Sequence, residues 1–149
     1  MFKSADGDSV TDFLGADDVL DFQQSAFSLA NGWTGGGSID SIVSVAANGA
    51  GGTSIAGADL IIWNAGSLNS KDTAGEINTL LDNQNGTFNG GVFVLAHSNV
   101  PGSPVALYYD ADANDTGGAA GATLVAIFSN YTSLASLGLP TLTSDYISH

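Results

Sequence analysis

The chain of 149 residues contains no cysteine, no arginine and two lysines, Lys3 and Lys71. Without cysteine there are no disulfides, thiolate metal sites or thiol chemistry, and any redox compartment is compatible. The shortage of basic side chains constrains function more. Fifteen acidic residues against two basic ones leave a formal charge of −13. Such a chain repels phosphate backbones and anionic bilayers and offers almost no cationic contacts, so nucleic-acid binding is excluded. His97 and His149 are the two histidines, too few for a His-rich metal cluster or a convincing Ser/His/Asp set. The chain is not expected to be an enzyme. No apolar run reaches the length of a membrane span, and Met1 to Asp8 lacks a basic segment followed by an apolar one. Membrane insertion is therefore not expected, and export would not use an N-terminal signal.

What is present argues for a folded domain. Hydrophobic residues make up 44% and charged residues 11%, which is not the composition of a disordered acidic tail. The length suits one core, so residues 1–149 are read as a single β-rich acidic domain. The expected fold class is mainly β, a β-rich α+β arrangement built on an antiparallel sheet or sandwich, with one short helix near residues 73–83. Residues 4–22 place short apolar pairs between aspartates and predict two short strands joined by an Asp/Gly turn. Residues 39–47 fit both periodicities and lean to strand, while Asp59-Leu-Ile-Ile-Trp63 reads as a buried strand. Thr73-Ala-Gly-Glu76 has capping-box spacing, Ile77, Leu80 and Leu81 supply an apolar helical face, and Asn85-Gly86 marks the stop. Val92 to His97, Val105 to Asp110 and Thr123 to Phe128 then predict a central antiparallel meander. Pro101-Gly102 turns between the first two of these strands.

Nine of the fifteen acids lie in two short stretches. In the second, Asp110, Asp112 and Asn114 put oxygens at alternate positions with a backbone carbonyl available near Thr116. That spacing matches the first ligands of an oxygen-rich calcium loop, because a hard cation takes about six to eight oxygens. Asp115 stands where such loops carry glycine, and Gly121 where they carry glutamate. A solvated Asp/Asn turn is the competing reading. In the first stretch, Asp6, Asp8, Asp12, Asp17, Asp18 and Asp21 crowd carboxylates that an ion or solvation must offset. Asp8, Asp12, Asp17 and Asp18 are its candidate Ca2+ ligands.

The order of these segments carries a family resemblance. Asp8-Ser-Val-Thr-Asp12-Phe13, followed by Gly15-Ala-Asp17-Asp18-Val-Leu-Asp21-Phe22, resembles the stretch just downstream of calcium-binding RTX repeats in bacterial proteins exported by type I secretion systems. Leu107-Tyr108-Tyr109-Asp110-Ala-Asp112, Thr123-Leu-Val-Ala-Ile127 and Leu142-Thr-Ser-Asp145-Tyr146-Ile147 resemble the strand, loop and terminal motifs of the same class. The likeness covers roughly residues 6–22 and 92–149. The glycine-rich nonapeptides of that class are absent from the sequence, so no parallel β-roll is expected. The resemblance implies a non-catalytic C-terminal module of a secreted, extracellular or cell-surface protein. An ABC exporter would read an uncleaved signal near its C-terminus, and the module would fold on extracellular calcium. An alternative is a self-assembling extracellular structural subunit of a surface layer, filament or matrix, forming homo-oligomers through calcium and strand contacts.

Overall fold

A computed structural model describes residues 7–13, 20–22, 27, 29, 41–45, 54–63, 74–82, 90–97, 101–113, 121–134, 136–137 and 147–148. In chain order the elements are β1 (Asp8–Val10), β2 (Leu20–Asp21), β3 (Ile42–Val45), β4 (Leu60–Trp63), α1 (Ala74–Asp82), β5 (Val92–His97), β6 (Val105–Asp110), β7 (Thr123–Phe128) and β8 (Ile147–Ser148). Six strands form one mixed sheet in the order β1-β7-β6-β5-β4-β3, and β2 pairs with β8 separately. The described residues are thus mostly β with one short helix.

The predicted meander forms the middle of the sheet. β5 pairs antiparallel with β6 from Val92↔Asp110 to His97↔Val105, and β6 pairs antiparallel with β7. Pro101 and Gly102 make the first turn; Gly102 has φ 85°, a conformation that a side chain disfavours. A register shift between Leu107 and Tyr108 leaves Val125 as an extra residue in β7. This bulge puts Val125 and Ala126, neighbours in sequence, into one apolar layer.

The flanking pairs add what strand patterning does not reveal. β4 runs parallel to both β5 and β3, and β1 runs parallel to β7. Parallel neighbours need a crossover, and α1 lies in the one between β4 and β5. The two short strands predicted for residues 4–22 are present, but they join different sheets. β1 lies against β7, whereas β2 lies against β8, with Leu20↔Ile147 and Asp21↔Ser148 in register.

Both faces of the sheet are covered, which explains why β4, β5 and β6 read as continuous apolar runs. On one face, Leu60, Ile62, Phe93, Leu95, Val105, Leu107 and Tyr109 pack beneath Phe13, Phe22, Phe27, Leu29, Leu134 and Leu137. On the other, Ile61, Trp63, Val94, Ala106 and Tyr108 meet Ile55, Ala58 and the helix residues Ile77 and Leu81. Phe93 is the aromatic hub of the first face, its ring centroid 4.4 Å from Phe22, 5.3 Å from Phe27 and 5.1 Å from Tyr109. Phe13 packs on Phe128 at 5.2 Å, while the Asn130 side-chain amide donates to the Phe13 carbonyl at 2.7 Å.

Because Phe93 is fully buried between head and tail rings, Phe93→Ala is expected to cost about 3–5 kcal/mol of unfolding free energy. Urea denaturation followed by circular dichroism checks this; a loss under about 1 kcal/mol would mean the aromatic layer does not hold the sheet.

Candidate functional site

Among the described residues two charged side chains are buried, Asp59 and Asp110. Their positions follow from strand register. Leu60 pairs with Phe93, so Asp59 lies at the level of Val92 on one side; Asp110 pairs with Val92 on the other. The two carboxylates therefore stand at the same end of the sheet, two strands apart, with backbones roughly 10 Å from each other by strand spacing. Alternation places both on the helix-covered face.

Asp59 closes the entrance to the parallel part of the sheet. Its Oδ2 accepts the Ser41 amide at 3.1 Å, while its own amide and that of Leu60 donate to the Ser41 carbonyl at 2.9 and 3.1 Å. The Asp59 carbonyl accepts from the Phe93 amide at 2.9 Å. One residue thereby ties the starts of β3, β4 and β5. This is a structural role, and it was not legible in the sequence, where Asp59 is simply the polar residue before an apolar run.

Asp110 ends β6 and begins the predicted calcium loop. Its Oδ1 accepts the Asp112 amide at 3.0 Å, a local turn in which a carboxylate orders the loop's first residues. Asp112 is exposed and Ala113 is buried against the helix-side layer. Asn114 and Thr116 lie outside the described residues. Where the loop returns, the Thr123 hydroxyl donates to the Tyr109 carbonyl at 3.1 Å, and the Ala122 amide donates to the side-chain oxygen of Asn78 on α1 at 3.0 Å. No local pattern signals the Asn78 contact, because its partner lies 44 positions away.

The other acidic stretch lies elsewhere on the sheet. Asp8 pairs with Ala126, which pairs with Leu107, so Asp8 is two strands across from Asp110 and about 10 Å further along. Asp12 continues past Val10↔Phe128, toward the opposite end of the sheet from Asp110. Asp8 and Asp12 are both exposed, and Asp17 and Asp18 lie outside the described residues. Among the described residues no three His, Cys, Asp or Glu side chains are grouped so as to hold a metal ion. Any ion at the loop would need Asp110 and Asp112 together with oxygens from the loop itself or from backbone carbonyls. His97 is half-buried at the end of β5, opposite Val105.

The helix start is partly visible. Thr73 is outside the described residues; Glu76 Oε2 is buried and makes no hydrogen bond. No helix among the described residues is long and apolar enough to cross a membrane. No family model, curated protein or solved structure matches the chain.

The two loop aspartates should separate in their effects. Asp110→Ala removes a buried acceptor and is expected to cost about 1 kcal/mol in chelator and more in calcium, where an ion ligand is lost as well. Asp112→Ala, at an exposed position, should stay within about 0.5 kcal/mol in chelator and lose stability in calcium. Thermal melting in both conditions measures this; a full calcium response in both variants would remove them from ion binding.

Proposed function

We propose that the chain is a non-catalytic extracellular module that binds calcium, carries a type I secretion signal near its C-terminus and folds on calcium outside the cell. The observation that supports this reading is the pairing of its two ends. The head and tail segments that resemble the secreted class are separated by residues 23–91, yet β1 lies against β7 and β2 against β8. Phe13 and Phe22 complete the tail's apolar layer. Two separately weak sequence likenesses thereby belong to one packed unit.

The charge supplies the physical logic. At −13 the unfolded chain repels itself, so calcium-poor surroundings favour an expanded state that an ABC exporter could accept. Outside, calcium held by Asp110, Asp112, Asn114 and Thr116, and by the head aspartates Asp8, Asp12, Asp17 and Asp18, lowers the charge. Binding to the folded state alone then stabilises it by mass action.

Calcium at about 100 times its Kd should stabilise the fold by about 2.7 kcal/mol, raising Tm by about 5–11 °C for a domain of this size. A Tm unchanged between calcium and EDTA would end the calcium reading. Deleting Leu142 to His149 should abolish export when the chain is coexpressed with a type I exporter; undiminished secretion would end the signal reading. Size exclusion with calcium should show a monomer, and growth into large assemblies would favour the self-assembling structural subunit.

A further inference from the structure

β1 stands at one end of the six-stranded sheet and is held there in the manner of a docked peptide. Main-chain bonds fix its register: the Gly7 amide donates to the Leu124 carbonyl at 3.0 Å, and the Ser129 amide and hydroxyl donate to the Val10 carbonyl at 3.0 and 3.2 Å. The Asn130 side-chain amide secures the far end at the Phe13 carbonyl. From residue 7 to residue 13 the fitted positions recur every third residue. Gly7, at φ 72°, approaches β7 so closely that a Cβ would stand 3.2 Å from Leu124 Cδ2. Val10 packs partly into the apolar layer, and Phe13 is buried in it against Phe128. Asp8, Ser9, Thr11 and Asp12 are exposed. Main-chain pairing combined with a few side-chain anchors is how a sheet edge takes an added strand.

These contacts are indifferent to which chain supplies the strand. β1 runs parallel to β7, and residues 11–122 separate the two, so no tight hairpin imposes the pairing. A second copy carries the same segment and the same edge. Exchange between copies preserves each of these contacts, which makes it a low-cost route to association. We infer that the β7 edge is an interaction surface for a second copy of this chain, which docks its own Gly7–Phe13 there in place of the resident segment. The bonds are the same within and between chains and therefore cancel. What remains is chain concentration against the effective concentration of the tethered segment, on the order of millimolar. Dilute chain is then monomeric, and crowded copies exchange strands. The inference goes beyond the calcium and secretion readings and stands without either.

The absence of cysteine makes a disulfide trap specific. Ser9 faces Ile127 in the register, so full-length Ser9→Cys and Ile127→Cys chains carrying different affinity tags are mixed, incubated to constant yield and treated with oxidised glutathione. A mixed disulfide reports the head of one copy on β7 of another. Its yield should be slight in dilute chain and approach half of the molecules at about 1 mM. Pairing Ser9→Cys with Asp112→Cys, at an exposed position past the end of β6, measures random collision. A synthetic peptide of residues 7–13 in severalfold excess should suppress the mixed dimer, and the same peptide carrying Phe13→Ala should not. If Ile127→Cys does not fold, Thr11→Cys with Ser129→Cys, both exposed and one step past the Val10↔Phe128 pair, replaces it. A mixed dimer at about 1 mM no more abundant than the collision control would overturn strand exchange, as would one that the parent peptide leaves unchanged.

Discussion

The structure depends on β5 being buried from both sides. Val92 to Ala96 are each almost inaccessible to solvent, and the strand takes a parallel neighbour on one side and an antiparallel one on the other. Its backbone is satisfied by two ladders, and its side chains alternate between two apolar layers. Neither layer can form from the meander alone. One needs Phe13, Phe22 and Phe27 from the head, and the other needs α1 together with Ile55 and Ala58. A strand that is apolar on both faces thus dictates that the sheet be a middle layer.

Charge distribution follows from the same constraint. A carboxylate cannot enter those layers without hydrogen bonds to offset lost hydration. The two that are buried lie at strand ends, where neighbouring amides are available: the Ser41 amide for Asp59 and the Asp112 amide for Asp110. Asp8, Asp12 and Asp112 remain in water. Among the described strands the carboxylates therefore stand at strand ends or just beyond them, with the interior of each strand neutral.

How much was legible in the sequence differs by the range of the interaction involved. The apolar runs at 60–63, 92–97 and 105–110, the Pro101-Gly102 turn and the helix over 74–82 are local patterns, and each is found in place. Parallel pairing of β3, β4 and β5, and of β1 with β7, left no local trace, because one strand's composition does not state the direction of its neighbour. At the site, alternate oxygens at 110 and 112 were visible from spacing. The burial of Asp110, the triple tie made by Asp59 and the Asn78 contact were not, since each depends on residues that only the folded sheet brings together. Asn114, Thr116, Asp17 and Asp18 fall outside the described residues, so those assignments stand on the sequence pattern.

The pairing of β2 with β8 has a temporal meaning. Leu20 and Asp21 are synthesised more than a hundred residues before their strand partners, Ile147 and Ser148. β1 likewise waits for β7. Contacts this distant along the chain slow folding, because loop closure must precede any gain from the contact. A nascent chain therefore holds β1 and β2 unmatched until β7 and β8 have been made, and these two pairings can close only then.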